Sequence, residues 1–313
     1  MGRSPQRPPG AACANHAHAD RAGSGGGFPH ALHLHRIGGR GRTGPAASGR
    51  NGEVSADLRD ALELAERAVR TAGQLALHHF HSGVAARRKA DGSPVSDADL
   101  AAEEAMRRVL EEGMPGVPVL GEELGGASPA APSTEARWIV DPIDGTRNFV
   151  RGIPIFASLA AFESGGRCVA GAVHAPALGD LIVAAEGAGC RWNGRPVRVS
   201  EMNVPETALV VTGGLDSLLS PRHRAAFLRL VRHTERQRGF GDYYGHFLVA
   251  TGRAEAMVET KIHPWDVAPF RIIIEEAGGR FTDLSGRDSI YSGSVLATNG
   301  RLHETILRLW NNR

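Results

Sequence analysis

Three clusters of acidic residues carry the chemistry this sequence can do. Gly121-Glu122-Glu123 directly follows the apolar run 117–120, Asp141-Pro142-Ile143-Asp144-Gly145-Thr146 directly follows the run 138–140, and Trp265-Asp266 opens a helical pattern. Carboxylates crowded at the ends of apolar segments repel one another and resist leaving water, and a bound divalent cation removes that cost. Asp141 and Asp144 stand three apart, and Pro142 is expected to fix a turn between them. Ile143, held between the two aspartates, can add its backbone carbonyl to a ligand set. Gly145 frees the backbone for a helix whose first amides, at Gly145 and Thr146, can meet a phosphate. Ligands that are all oxygen select a hard cation, magnesium before manganese, and argue against zinc. Each acid alone could simply cap a helix or mark a turn. Their order and context together favour a metal centre.

The elements that position these acids are legible as periodic runs. A helix is expected from a cap at Ser55 through Leu58, Leu62, Ala65, Val69 and Leu75 to Gly83. A polar loop, 87–94, leads to a second helix opened by Ser96, with Asp97 and Asp99 in its first turn and Met106, Val109 and Leu110 on its buried side. Beyond Met114 the short apolar runs 117–120, 138–140, 155–162, 168–173 and 181–185 read as strands. A mixed half follows, with strands at 208–212, 256–259, 280–282 and 294–297 and helices at 222–232, 243–251, 266–276 and 301–309. The ordered region is therefore expected to span 54–313 in two halves, about 54–200 and about 201–313.

Composition bounds the function class. The chain has 313 residues, 42% hydrophobic and 22% charged, as a globular protein does, and its formal net charge of +2 points to no general nucleic-acid or membrane surface. Residues 1–53 are rich in Gly, Arg, Ala, His and Pro without apolar periodicity, and are expected to be a disordered extension. A transit peptide, or a start codon placed too far upstream, would read the same way. Cys13, Cys168 and Cys190 are too scattered for a disulfide framework or zinc cluster and fit a reducing compartment. No apolar run approaches the roughly 18 residues of a membrane span, so a soluble cytoplasmic protein is expected. His263, next to Pro264 and Trp265, is read as structural rather than as a zinc ligand.

The runs Gly121-Glu122-Glu123, then Trp138-Ile139-Val140-Asp141-Pro142-Ile143-Asp144-Gly145-Thr146 with Asn148-Phe149, then Trp265-Asp266 resemble the inositol monophosphatase family over residues 55–312. The resemblance implies an α+β fold, the layered αβαβα sandwich shared by inositol monophosphatases and fructose-1,6-bisphosphatases, holding two or three magnesium ions. By the same resemblance the first half, about 54–200, binds metal and the second, about 201–313, sets substrate specificity. It implies that Glu122, Asp141 and the carbonyl of Ile143 hold one ion, and that Asp141, Asp144 and Asp266 hold a second. Asp99, in Val95-Ser96-Asp97-Ala98-Asp99, would support Thr146 and a third, weaker ion. Lys89 matches the family's mobile-loop lysine. The implied chemistry is in-line attack of a metal-acidified water on phosphorus, with Glu122 and the Asp99–Thr146 pair orienting and deprotonating that water. The phosphate would lie against Glu122, Ile143, Asp144, Gly145, Thr146 and Asp266. A homodimer is also implied.

Within that family the stretches 238–246, 248–252, 148–152 and 89–94 look more like the histidinol-phosphate phosphatase branch. Histidinol phosphate carries an ammonium and an imidazole, so Asp242 and Glu259 with aromatic Tyr243 can hold it, and Arg238 can meet the substrate or its phosphate. The residues themselves leave other roles open: Asp242 as a helix cap, Arg238 paired with a surface acid, Tyr243 and Tyr244 in the core. Inositol-1-phosphate, or a sugar phosphate handled by a broader phosphatase, is the alternative substrate. A binding protein without catalysis would be free to lose one of the motif acids, and all are present.

Overall fold

The computed structural model describes residues 56–83, 86–88, 94–126 and 131–312. The expectations for residues 1–53, for the Ser55 cap and for Lys89 lie outside them. All described residues belong to one contact unit, Arg50–Arg313.

Helix α1 (Ala56–Ser82) buries Ala61, Leu64, Ala65, Ala68, Val69, Ala72 and Ala76. Alanine on this face lets the helix axis approach a sheet closely. Leu75, expected on the buried stripe, is 36% exposed. The apolar phase runs through Ala72 and Ala76 instead, and Leu75 falls outside it. Strands β1 (Ala86–Arg88) and β2 (Pro94–Ser96) pair antiparallel, so the ends of the expected polar loop form a hairpin. In α2 (Asp97–Gly113) Met106 and Leu110 are buried as expected. Its start is fixed by Asp99, whose Oδ2 accepts the Ser96 N–H at 2.7 Å and the Ser96 hydroxyl at 2.6 Å.

Seven strands then form one sheet in chain order: β3 (Val119–Gly121), β4 (Arg137–Asp144), β5 (Ala157–Ser164), β6 (Arg167–Ala175), β7 (Asp180–Ala185), β8 (Gly189–Trp192) and β9 (Arg195–Pro196). Only the β3–β4 pair is parallel; a short helix, α3 (Thr146–Phe149), follows β4. The sequence reading missed β8 and β9, which are too short to show a period of two. The remaining elements are β10 (Leu209–Thr212), α4 (Leu215–Leu218), α5 (Arg224–Arg232), β11 (Arg236–Arg238), α6 (Asp242–Ala250), β12 (Ala256–Thr260), α7 (Pro264–Glu276), β13 (Arg280–Thr282), β14 (Ser294–Thr298) and α8 (His303–Asn311). Their strands form a second sheet in the order β11-β10-β12-β14-β13.

Three apolar clusters stack these elements into layers. Trp138, Val140, Ala160, Ala172 and Val183 of the seven-stranded sheet pack under α1 and α2. Leu159, Val173 and Ile182 pack against Phe247, Val267, Phe270 and Ile273 of α6 and α7, which in turn meet Val211, Met257 and Val295 of the five-stranded sheet. The far face of that second sheet, Val210, Val258 and Leu296, packs on Phe227, Ile306 and Trp310 of α5 and α8. The result is the layered αβαβα sandwich expected.

A buried polar cluster joins the layers away from the acidic motifs. Arg137 Nε donates to Glu163 Oε2 at 2.6 Å and its Nη2 to the Tyr291 hydroxyl at 2.8 Å, while that hydroxyl donates to Glu163 Oε1 at 2.5 Å. Removing one partner of a buried pair leaves an uncompensated charge. Arg137→Leu is therefore expected to lower unfolding stability by about 3–5 kcal/mol, read from chemical denaturation. An unchanged midpoint would show that this cluster does not bind the layers.

Candidate metal centre

Residues two apart share a face of a regular strand, yet Asp141 and Asp144 are three apart. β4 reconciles the spacing with a bulge. Asp141 lies opposite Leu159 and Asp144 opposite Ala157, so three steps along β4 match two along β5. Both carboxylates thereby reach one side. The expected turn at Pro142 is in fact this bulged strand end, where a residue without an N–H breaks no needed ladder bond. The Pro142 carbonyl accepts the Ser158 hydroxyl at 2.6 Å, and the Ile143 N–H donates to Asp141 Oδ1 at 3.0 Å.

The other acids arrive from neighbouring elements. β3 runs parallel to β4 with Gly121 opposite Val140, which delivers Glu122 beside Asp141. Asp266 sits in the first turn of α7, its Oδ2 accepting the His263 N–H at 2.8 Å. Asp141, Asp144 and Asp266 each offer a carboxylate oxygen, and these atoms lie within 4.8 Å of one another. The N-terminus of α6 closes the site, with the Tyr243 N–H donating to Asp144 Oδ2 at 2.5 Å. Here Asp242 has a left-handed backbone, φ +47°. Its Oδ2 accepts Asn148 Nδ2 at 3.1 Å, and that amide also reaches the Ile155 carbonyl at 3.0 Å. Two glycines make the approach possible. A side chain on Gly145 (φ +84°) would put Cβ 2.9 Å from the Ile155 carbonyl oxygen, and one on Gly213 would put Cβ 2.0 Å from Glu259 Oε1.

A sequence profile described as the inositol monophosphatase family matches residues 57–313. The chain belongs to this family. It is 40% identical over 247 residues to a histidinol-phosphatase of Chlorobaculum parvum, covering 78% of this chain and 92% of the relative. A histidinol-phosphatase of Mycobacterium tuberculosis is 41% identical over 228 residues, 71% of this chain and 86% of the relative. Among solved structures, an IMPase of Thermotoga maritima superposes with a TM-score of 0.72 at 31% identity, covering 81% of this chain and 97% of that one. The protein is thus an inositol monophosphatase family enzyme, a phosphoric monoester hydrolase. No helix among the described residues is long and apolar enough to cross a membrane.

The site's electrostatics test whether the family's metal fits this chain. Burial raises the Asp141 carboxyl well above its ordinary value, and Glu122, Asp144, Asp266 and Asp99 raise it further. Burial likewise raises Asp144, with Asp242, Asp266 and Glu259 adding to it against the Tyr243 N–H, which lowers it. Carboxylates gathered this way, with oxygen as their only donor atom, suit a hard divalent cation. Glu122, Asp141, Asp144 and Asp266, with the Ile143 carbonyl, are the residues that would hold it.

The remaining expected residues fall in several places. Asp99 lies near enough to raise Asp141. Thr146 donates its hydroxyl to the Ile143 carbonyl at 3.0 Å, so in this arrangement its proton faces the expected ligand carbonyl. Asp242 and Glu259 adjoin Asp144; Glu259 is raised by burial, then by Asp242 and Asp266, while the Asp242 N–H lowers it. Arg238 is exposed on the edge strand β11, with Nη1 donating to the Gln237 carbonyl at 3.0 Å. Tyr243 is 1% exposed and belongs to the core, so it offers no ring face to a substrate. His263 stacks on Trp265 at 4.9 Å and starts α7, a structural role.

Glu103 escaped the sequence reading. Fully buried in α2, it accepts the Glu123 N–H at 2.7 Å, the Leu124 N–H at 3.2 Å and the Arg107 guanidinium at 2.8 Å, and so positions the loop carrying Glu122. Its signal was an acid on the buried side of a helix, four residues from an arginine.

These shifts fix the sign of a pH effect. Asp141 and Asp144 bind protons more tightly folded than unfolded, so their own contribution to metal-free stability is fully present below the ordinary carboxylate value of 3.8 and is lost as pH rises through the raised values. Asp141→Asn, which keeps the acceptor for Ile143, is expected to raise the metal-free thermal midpoint at neutral pH and to abolish the rise caused by a divalent cation. A lower metal-free midpoint in this variant would contradict the repulsion.

Proposed function

We propose that the protein is a magnesium-dependent phosphatase of L-histidinol phosphate. The observation that carries this reading is a second pair of acids beside the metal triad. Asp242, pushed up to about 6 chiefly by burial, and Glu259, also raised, face the same site as Asp144 and Asp266. A phosphate ester whose alcohol bears an ammonium offsets that excess of negative charge, whereas a neutral polyol does not. The two histidinol-phosphatase relatives, alike over most of their length, support the same substrate.

Bound magnesium would supply charge neutralisation on the phosphoryl group and a more acidic attacking water. The chain's own groups then have separate tasks. Glu122 orients the attacking water and takes its proton, with Asp99 behind it. The N–H groups of Gly145 and Thr146 steady the phosphate oxygens. Asp266 holds the water that protonates the leaving alcohol. Asp242, fixed by the Asn148 amide, and Glu259, packed against Gly213, receive the ammonium.

Inositol-1-phosphate is the second reading, since carboxylates also accept hydroxyl groups and the similar solved structure is an IMPase. Phosphate release from both esters, with and without magnesium, separates the two. Histidinol phosphate is expected to have the higher kcat/KM, with no turnover without the ion. Asp141→Asn should lower kcat roughly a thousandfold. Glu259→Gln should raise KM for histidinol phosphate by about tenfold while leaving an aryl phosphate whose leaving group carries no charge nearly unaffected. Faster turnover of the inositol ester would overturn the substrate assignment.

A further inference from the structure

A cavity of about 780 Å³ opens on the far side of the five-stranded sheet, between α4, the start of α5, the end of β12 and the end of α8. Its wall carries four cationic side chains, Arg222, Arg229, Lys261 and Arg287, against one acid, Asp283. That acid is already committed. Asp283 is buried and accepts Arg287 Nε at 2.9 Å together with the N–H groups of Ser285 and Arg287 and the Ser285 hydroxyl. Arg229 donates to the Leu309 and Trp310 carbonyls at the end of α8, and among the described residues no acid forms an ion pair with it. Lys261 meets Asp216 at 3.1 Å, but both side chains are about seven-tenths exposed or more, where an ion pair holds weakly. Arg222 is exposed, and among the described residues no acid forms an ion pair with it. Five serines, with His223, Thr260 and Asn311, complete the polar lining.

We propose that this cavity binds a small polyvalent anion, and that its occupancy is felt at the phosphatase site through β12. A concave surface with surplus cations and hydroxyl donors concentrates and orients such a ligand. The volume suits a metabolite-sized molecule. The link to the other site is short. Thr260 lines the cavity and donates to Ser217 at 2.8 Å, and Ser217 donates to the Gly214 carbonyl at 2.9 Å. The residue before Thr260 is Glu259, which points to the opposite face of the strand, against Gly213. An anion that draws Lys261 and the Ser217–Thr260 pair inward moves the backbone that holds Glu259. This second limb rests on Glu259 being a substrate contact; the binding limb does not.

The test is calorimetric titration of the metal-free, full-length protein with pyrophosphate and, separately, with propane-1,2,3-tricarboxylate. Without metal the acidic catalytic site repels both. Binding that weakens with rising salt is expected, at least about tenfold weaker in the Arg222→Gln/Lys261→Gln double variant. The arm that binds more tightly assigns a phosphate or a carboxylate ligand. In turnover assays with excess magnesium, competition at the metal centre shifts KM equally in both proteins, and the cavity-bound anion should add a further shift in the wild type that is absent from the double variant, whose basal activity is unchanged. Equal affinity in the two proteins overturns the site. Specific binding with the same KM shift in both proteins overturns the link to β12. Because binding is read without turnover, its outcome is independent of the assigned substrate.

Discussion

The mutual repulsion of buried carboxylates is the constraint around which this molecule is organised. Asp141, Asp144 and Asp266 converge within 4.8 Å, and Glu122, Asp242 and Glu259 surround them closely enough to raise the carboxyls at the centre. No apolar core gains from such a gathering, and each acid resists its burial. The chain nevertheless fixes it with a bulge in β4, a left-handed residue at Asp242, two glycines that admit close contacts, and a buried Glu103–Arg107 clamp. A site so strained when empty is one that a cation and a phosphate complete.

The layers serve this arrangement. β3 and β4 lie parallel in an otherwise antiparallel sheet, so the chain leaves both strands at the same end of that sheet. The starts of α6 and α7, sandwiched between the two sheets, arrive at that end with the positive ends of their dipoles. Those N-terminal amides give partial compensation to Asp144 and Asp266.

Much of this was legible in the sequence because the motif acids are contiguous with apolar runs. The gathering of acids at Asp141, Asp144 and Asp266 was flagged by short runs at the ends of apolar segments, and the layered architecture was implied by the resemblance those runs carry. What was not legible depends on tertiary contacts. The Asp141–Asp144 spacing suits a turn as well as a bulge, and only pairing with β5 decides between them. Leu75 satisfies the helical period as well as Ala76 does, and the sheet selects the smaller side chain. Tyr243 beside an acid looks like a ligand contact, yet α6 turns it into the core. Glu103 was hidden because its partners, the amides of residues 123 and 124, lie about twenty positions away.

The central claim is that these acids share hard cations, and diffraction reports it without any assay of turnover. Crystals soaked in manganese, measured at the metal's absorption edge, should show anomalous peaks bridging Asp141 with Asp144 and Asp266, and Asp141 with Glu122. Anomalous maps without a peak among those four side chains at saturating manganese would contradict the account.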